Sequence, residues 1–450
     1  MRKIILFLAV MYQSMVLSQT ILASYSLELK KIRENDQILN FENAVTHEVF
    51  VFVASQGNFT ILKYNSALFL RDQFAGAMTY YEKRSLLGYS FGEDGNPTLY
   101  WYSEELKDII IVKYYFEDKT VKALKFNFPA KIQPIVTQYQ KDNAFNLLTQ
   151  HKTEPKLILY VFKNGTVEER ELDFSPFTFK DRKTQSRTFN QILTENPIEK
   201  MESGEYNPLF KTVSKTKLYL LPQRLILTLD QNVTNTQLFD INLTSLDIKE
   251  KNFLQPPAKK WARSSNSFYH ENKLYQINTT EDEFLFDIKD LESEQVLKSI
   301  VVSKNDTIRF KNSPLLIQRD IYSPKELKNT AKFLQHLATL DIGLSVFKNK
   351  TNLFITFGGI NKPSYQSFDG FSYPDIQTKT VYFESIWDKK LGYTTEQQQP
   401  LAADKINLFV DKHDEVSFQS IIKFKDYFIL GYYDTDTKEY KMLKFTDGYN

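Results

Sequence analysis

Short runs of apolar and aromatic residues alternate with polar positions along most of the chain, and Asn, Asp, Gly and Lys separate the runs. Alternation with a period of two predicts β-strands that bury one face. The clearest pair of strands covers residues 157–162 and 166–174, which flank Lys163-Asn164-Gly165. Asn-Gly tolerates the positive φ that a tight hairpin turn requires. The sequence therefore predicts an all-β protein built from hairpins.

Units that carry such hairpins recur over the whole chain, beginning near residues 42, 97, 144, 217, 266, 334 and 406. Their mean spacing is about 60 residues, and a four-stranded propeller blade takes roughly 40–50 residues, or more when its loops are long. We therefore predict a single β-propeller of about six to eight irregular blades over residues 19–450. Sandwich domains in tandem would give a similar strand spacing, but no Pro- or Ser-rich linker separates the units.

One predicted helix interrupts the strand pattern. Ser323-Pro324-Lys325-Glu326 has the residue types of a capping box with proline at the first helical position. Four apolar residues then repeat at helical spacing: Leu327, Ala331, Leu334 and Leu337. We predict a helix over about 323–339, inserted between two blades. The long polar stretches 180–215 and 388–405 are predicted to be surface excursions.

The N-terminus has the pattern of a secretory signal peptide. Two basic residues precede the apolar run 4–10, and Val16 and Ser18 are small enough for the −3 and −1 positions of a cleavage site. We predict a signal peptide over residues 1–18, cleaved before Gln19, and export to the periplasm or the cell exterior. An uncleaved anchor and a buried first strand are the alternatives.

Two segments resemble known proteins. A signal that ends just before Gln resembles the signals of exported proteins of Bacteroidota, and this resemblance covers only residues 1–20. Residues 353–359, with the later Tyr382 and Trp387, resemble the kelch repeat, in which an apolar strand is followed by a double glycine and spaced aromatic residues. The second resemblance covers about one blade and implies a propeller. A regular kelch array is excluded, since the chain has only 14 glycines.

Charge and cysteine content limit the function classes. The 450 residues include 57 basic and 55 acidic ones, and this net charge of +2 gives no electrostatic footprint for nucleic acid. No cysteine is present, which excludes disulfides, a lipoprotein anchor, thiol catalysis and cysteine-ligated zinc. Beyond Thr20 no apolar run approaches the ~20 residues of a membrane span. We predict no nucleic-acid partner and no transmembrane segment after signal removal.

No residue is assigned a catalytic, cofactor-binding or metal-binding role, and no cofactor is predicted. The chain has five histidines: His47, His151, His270, His336 and His413. None of them forms a pair at metal-ligand spacing, so each is interpreted as a surface residue of a strand or loop. The acidic groups 281–283 and 434–439 are interpreted as solvated hairpin tips, and the basic run 259–263 as a solvated loop.

Aromatic residues make up 14% of the chain, and exposed tryptophans stack well on sugar rings. Trp101, Trp261 and Trp387 are the first candidates for such stacking, although packing between sheets explains most aromatic residues better. The sequence predicts a non-catalytic exported propeller that binds or scaffolds a protein or a carbohydrate. The alternative is a glycan-active hydrolase whose carboxylates gather in the propeller cavity.

Overall fold

The computed structural model describes residues 20–27, 29, 36–78, 84–103, 105, 107–260, 264–320, 322–349, 352–361, 366–368, 371–373, 378–397 and 399–448. Its strands form seven large sheets of four or five strands. At one end of each sheet, the last strand lies against the last strand of the neighbouring sheet. For example, β2 (Gln37–Glu42) contacts β32 (Val416–Phe424), and β21 (Ser264–His270) contacts β27 (Asp341–Asn349). Sheets arranged in this way around a common axis are propeller blades. The predicted all-β propeller is therefore confirmed, with seven blades.

Four of the blades consist of four consecutive antiparallel strands. Blade 1 contains β2, β3 (Val49–Ser55), β4 (Asn58–Tyr64) and β5 (Leu70–Ala77). Blade 2 contains β6 (Ser85–Phe91), β7 (Pro97–Ser103), β8 (Asp108–Tyr115) and β9 (Thr120–Asn127). Blade 3 contains β10 (Ile132–Lys141), β11 (Ala144–His151), β12 (Lys156–Lys163) and β13 (Thr166–Asp173). Blade 5 contains β21, β22 (Lys273–Thr279), β23 (Glu283–Asp290) and β24 (Val296–Ser303).

Blade 4 has a fifth strand, which runs parallel to its neighbour. The strands are β16 (Ile198–Met201), β17 (Thr216–Leu220), β18 (Arg224–Leu229), β19 (Asn235–Asn242) and β20 (Ile248–Leu254). The chain reaches this blade through the hairpin β14 (Phe179–Lys180) and β15 (Ser186–Arg187) and through helix α1 (Phe189–Glu195). Helix α2 (Leu209–Thr212) follows β16 in the chain.

The strands of blade 6 do not follow chain order. Across the sheet they are β27, β28 (Asn352–Ile360), β31 (Lys379–Trp387), β25 (Leu316–Arg319) and β26 (Lys325–Glu326). The two outer strands therefore precede the others in the chain, and helix α3 (Thr330–Leu337) connects them to β27. A separate hairpin of β29 (Gln366–Phe368) and β30 (Phe371–Tyr373) follows β28.

Blade 7 closes the ring by joining strands from both ends of the described chain. It contains β32, β33 (Tyr427–Asp434), β34 (Glu439–Phe445) and β1 (Thr20–Ser26), which pairs with β34. Between blades 7 and 1, the Asn40 side chain donates to the Ser420 carbonyl at 3.1 Å and accepts from the Tyr440 hydroxyl at 2.7 Å. The ring is thus held both by strand pairing and by buried hydrogen bonds.

Aromatic side chains fill the spaces between the blades. Phe41 of blade 1 contacts Tyr89 and Phe91 of blade 2, with ring centroids 4.9 and 5.7 Å apart. Phe286 of blade 5 lies 4.9 Å from Phe357 of blade 6. Facing sheets bury these rings against one another, which accounts for much of the aromatic content without a ligand.

The predicted helix at 323–339 is shorter, because α3 covers only its second half. Asn329 is the N-cap, and its side chain accepts a hydrogen bond from the Lys332 backbone N–H at 3.0 Å. Lys325–Glu326, which the capping-box pattern places in the first turn, pairs with β25 instead. Pairing within the sheet of blade 6 therefore overrides the local capping signal, and the helix lies within the chain of that blade rather than between two blades.

The stretches 180–215 and 388–405, predicted to be surface excursions, contain buried elements. Helix α1 buries Ile192 in the first stretch. Helix α4 (Ala402–Lys412) begins in the second stretch and packs Phe409 against blade 7. Because most residues of these stretches are polar, the sequence pattern does not indicate the few apolar residues that pack in the core. None of the helices in the described part of the chain is long and apolar enough to span a membrane.

Residues 198–215 cross from blade 4 to blade 6 and are named the crossing segment. Its strand β16 lies beside β17, whereas its helix α2 packs on β27 and β28. A Cβ atom on Gly343 would lie 2.9 Å from the Val213 backbone nitrogen, and one on Gly358 would lie 2.8 Å from the Leu209 side chain. Gly343 of β27 and Gly358 of β28 therefore let the crossing segment pack closely on blade 6. The double glycine Gly358-Gly359 lies inside β28, whereas in the kelch-like pattern it follows the strand.

Candidate functional site

The inner strands of four blades surround a pocket of about 340 Å³, named the channel pocket. The strands are β2, β6, β10 and β32, which belong to blades 1, 2, 3 and 7. The lining residues are Asp36, Gln37, Ile38, Leu39, Leu86, Leu87, Gly88, Tyr89, Gln140, Phe418 and Gln419. This volume is at the small end of the range for ligand pockets, which is about 300–1,000 Å³.

Two β-bulges shape the channel pocket. The pairing of β6 with β7 changes register between Leu86 and Gly88, and that of β32 with β33 changes register between Ser417 and Ser420. The residues inside these two irregularities all line the pocket: Leu87, Phe418 and Gln419. Bulges redirect side chains and are frequent beside functional sites. The inner strands thus depart from regular pairing at the point where they meet the pocket.

The backbone of Phe418 is strained. Its φ is 48°, in the left-handed region that bulky residues avoid. The left-handed conformation costs a non-glycine residue about 1–2 kcal/mol. Its ring packs, partly buried, against the apolar cluster of blades 1 and 7. Such strain concentrates at binding and catalytic sites, where the surrounding structure holds it in place.

The Gln140 side chain belongs to the lining of the channel pocket. Its Nε2 is buried and has no hydrogen-bond partner among the described residues. It lies against Gly88, where any Cβ atom would collide with it. A buried polar group without a partner costs about 1–3 kcal/mol. A ligand that offers an acceptor would recover that loss once the side chain turns its amide toward the pocket, because Nε2 has almost no exposed surface in this rotamer.

The lining is polar but nearly uncharged. Among the described residues of the pocket, Asp36 is the one acidic side chain, beside three glutamines. The Asp36 carboxylate accepts from the Ser55 hydroxyl at 3.0 Å and from the Gln56 backbone N–H at 3.3 Å. Glutamine amides both donate and accept hydrogen bonds. The pocket therefore suits an uncharged ligand with amide or hydroxyl groups, and its described lining contributes one carboxylate, whereas a glycan hydrolase uses a pair.

Two of the three tryptophans predicted as sugar-stacking candidates lie in the core. Trp101 is 3% exposed, and its ring centroid is 5.7 Å from that of Phe52. Trp387 is 1% exposed, and its ring centroid is 5.8 Å from that of Phe286. Trp261 lies outside the described residues. The packing interpretation is therefore right for Trp101 and Trp387, and neither ring is available to a ligand.

The charged groups noted in the sequence form ion pairs within the protein. Glu283 is buried rather than solvated and pairs with Lys259 at 2.9 Å, whereas the Lys259 side chain is 85% exposed, as expected of a solvated loop. Asp434 pairs with Lys441 at 2.8 Å, but it is buried rather than solvated, because it caps the turn between β33 and β34. These acidic groups have a structural role.

The histidines do not gather into a site. His151 is 4% exposed, in contrast to the predicted surface position, because its Nδ1 accepts from the Glu154 backbone N–H at 2.9 Å inside blade 3. His413 stacks on Phe409 with ring centroids 4.0 Å apart. Over the described ranges, no three His, Asp or Glu side chains are placed to hold a metal ion.

Glu205 on the crossing segment differs from the other carboxyl groups of the described residues with a shifted pKa, because its pKa is raised rather than lowered. Burial raises its pKa, the Lys423 ammonium opposes this shift, and Glu202 adds to it. Glu205 does not line the channel pocket. The adjacent Tyr206 hydroxyl hydrogen-bonds to the Thr356 side chain of blade 6, while Lys423 belongs to blade 7. The contact of Tyr206 with Thr356 holds this part of the segment on blade 6.

None of the residues of the channel pocket is a candidate in the sequence. Gln37, Gln140 and Gln419 are isolated in strand-like runs, and Gln419 reaches the pocket through the bulge in β32. The available signal is Gly88 inside the strand pattern of β6. An isolated glycine in a strand indicates a bulge or a close approach of neighbouring groups, and both are present here.

Comparison with known proteins identifies no family. No protein-family model matches the chain, and no curated protein sequence is significantly similar to it. The solved Dos1 propeller is similar at 9% identity, with 95% of each chain covered and a TM-score of 0.34. The WD40 domain of SCAP from fission yeast is similar at 8% identity, covering 95% of this chain and 88% of that chain, with a TM-score of 0.31. Dihydro-heme d1 dehydrogenase NirN, solved in complex with DHE, is similar at 12% identity, covering 95% and 79%, with a TM-score of 0.35.

Proposed function

We propose that this protein is an exported, non-catalytic propeller that binds an uncharged segment of a protein partner in the channel pocket. One observation carries the proposal. Two bulges direct Leu87, Phe418 and Gln419 into a pocket that also contains the unpartnered amide of Gln140. Irregular, strained strands around an unused hydrogen-bond donor are typical of a binding site.

The chemistry of the lining favours a peptide segment. Amide side chains match the N–H and C=O groups of an extended backbone. Ile38, Leu86 and Leu87 offer aliphatic surface to apolar side chains of the same segment. A pocket of about 340 Å³ takes a few residues of a loop or terminus and excludes a folded domain.

A carbohydrate ligand is the alternative. Sugar rings are usually recognised on an exposed aromatic face, and Trp101 and Trp387 are buried. Two aromatic residues line the pocket, Tyr89 and Phe418, and both are only partly exposed. The lining therefore favours peptide over sugar, and the hydrolase alternative has a single carboxylate in this pocket.

A peptide library displayed on phage tests the proposal. Peptides selected on the wild-type protein are titrated calorimetrically against it and against the double variant Gln140→Ala/Gln419→Ala. We expect binding to weaken at least about tenfold, since each lost hydrogen bond contributes about 0.5–1.5 kcal/mol. Gln335→Ala is the matched control, because Gln335 lies on α3 away from the pocket.

Two results would contradict the proposal. Selected peptides that bind wild type and double variant equally would place their site elsewhere on the protein. A glycan array is screened in parallel. If the double variant loses binding to a glycan, and it loses binding to none of the selected peptides, the carbohydrate alternative is favoured.

Export is proposed from the signal pattern of residues 1–18. Mass spectrometry of the protein recovered from the medium or periplasm of its own cells tests it. We expect a mature chain that begins at Gln19. A chain that retains Met1 in the cell interior would contradict export. The kelch-like character of blade 6 stays a prediction.

A further inference from the structure

A second cavity, of about 250 Å³, lies beside blade 6 and away from the channel pocket. Its lining is contributed by β25, β31 and the chain that follows α3 and β28: Arg319, Thr339, Leu340, Asn361, Thr378 and Lys379. Both charged side chains in this lining are cationic. The cavity is named the basic cavity.

Arg319 and Lys379 stand directly opposite each other in the antiparallel pairing of β25 with β31. Two like charges in this position repel, so the pair disfavours the folded sheet. Burial lowers the pKa of Lys379, and the charge of Arg319 lowers it further. The Lys379 ammonium donates to the Thr339 hydroxyl at 3.2 Å. The strand register therefore concentrates positive charge at the basic cavity.

Lys332 of helix α3 adds further positive charge near the basic cavity. Burial lowers the pKa of His336, and Lys379, Arg319 and Lys332 each lower it further, with no carboxylate of the described residues raising it. Among the described residues, no acidic side chain raises the pKa of Lys379, and none lines the basic cavity. Asp320, next to Arg319 in the chain, accepts instead from the Thr378 backbone N–H at 2.6 Å.

We propose that the basic cavity binds a small oxyanion, which bridges the Arg319 guanidinium and the Lys379 ammonium. The guanidinium offers two parallel N–H donors to a pair of oxygens, and the ammonium supplies a point charge. The Thr339 hydroxyl accepts from Lys379 and donates its own hydrogen to the His336 carbonyl at 2.8 Å, so it orients the ammonium and does not itself donate to the anion. The Asn361 amide adds another donor at the wall. A phosphate, sulfate or carboxylate has this shared chemistry.

The probes are inorganic phosphate, sulfate and acetate, titrated calorimetrically into the full-length mature protein at constant ionic strength set by chloride. We expect phosphate or sulfate to bind, and the variant Arg319→Gln/Lys379→Gln to bind at least about tenfold more weakly, since contacts to charged groups are the stronger hydrogen bonds. Acetate as the tightest ligand would assign a carboxylate source. Lys259→Gln/Lys304→Gln removes two positive charges from the surface next to blade 5 and is the control for net charge.

A second measurement separates binding from a folding defect. Arg319→Gln alone relieves the opposed charges, so the ligand-free variant should melt at or above the wild-type temperature. The His336 imidazole faces Lys379, Arg319 and Lys332, and its pKa, followed by NMR, should rise when phosphate is added. The proposal would be overturned if chloride bound as tightly as phosphate or sulfate, or if the control variant lost as much affinity as Arg319→Gln/Lys379→Gln. An unchanged His336 pKa on addition of phosphate would also overturn it.

Discussion

The Lys217 ammonium lies 2.8 Å from the Asp230 carboxylate, and both side chains are fully buried between blades 4 and 5. Asp230 also accepts from the Ser267 hydroxyl at 2.9 Å, and Lys217 donates to the Asn266 side chain at 2.6 Å. Asn266 in turn donates to the Val213 carbonyl of the crossing segment at 3.0 Å. One buried ion pair thus joins two blades and the segment that crosses between blades.

Breaking this pair should destabilise the protein strongly. Lys217→Met leaves the Asp230 carboxylate buried without its cation, which we expect to lower the free energy of unfolding by about 3–5 kcal/mol. Lys113→Met is the control, because Lys113 pairs with Asp94 at 2.7 Å on the surface and should cost less than about 1 kcal/mol. Urea denaturation measures both. Equal losses would show that burial does not govern the strength of these pairs.

Ring closure predicts an effect of adding one methyl group. A Cβ atom on Gly431 would lie 2.7 Å from Asn40 Cγ, in the hydrogen-bonded contact between blades 7 and 1. Gly431→Ala should lower the free energy of unfolding by about 1–3 kcal/mol. At Gly92 the new methyl would meet the ends of the Asp94 and Lys113 side chains, 2.5 and 3.0 Å away, and both are flexible and partly exposed. Gly92→Ala should therefore cost less, and the reverse order would contradict the closure described here.

The start of helix α3 is tested by its cap. Asn329→Ala removes the acceptor for the Lys332 N–H and should cost about 1 kcal/mol in unfolding free energy. Ser323→Ala should be neutral within about 0.5 kcal/mol, because Ser323 is exposed and lies before β26. Thermal denaturation of the two variants distinguishes these positions. A larger loss at Ser323 would restore the helix start that the sequence predicts.

Stability should depend on pH through Lys215. Burial lowers its pKa to about 8 from the ordinary 10.5, although its ammonium donates to Ser264 and Ser265. Between these two values the unfolded chain holds a proton that the folded protein lacks, so the free energy of unfolding rises with pH. The slope should reach about 1.4 kcal/mol per pH unit at most. In Lys215→Met this contribution disappears, so the free energy of unfolding of the wild type should rise relative to that of the variant between about pH 8 and pH 10. A difference in unfolding free energy that stays constant over that range would contradict the lowered pKa.

The blades were predictable because their signals are local. Alternation of apolar and polar residues defines each strand, and the turn at Asn164-Gly165 adopts φ values of 51° and 77°, as the residue types require. The same local reasoning fails where a distant strand decides the outcome. Lys325–Glu326 resembles a helix start, yet pairing with β25 draws it into the sheet of blade 6.

The channel pocket was not predictable from sequence, since it depends on register rather than residue type. Leu87, Phe418 and Gln419 enter the pocket because β6 and β32 shift their pairing, and register depends on the partner strand. The tryptophans show the converse. Trp101 and Trp387 have the residue type of a sugar platform, but the ring of blades buries both.

The most direct test of the binding account is a crystal structure of the protein with its tightest-binding selected peptide. We predict density for the peptide in the channel pocket, with one of its carbonyl oxygens within hydrogen-bond distance of Gln140 Nε2. Density at the rim of an outer strand or in the basic cavity, with Gln140 still unpartnered, would contradict the account.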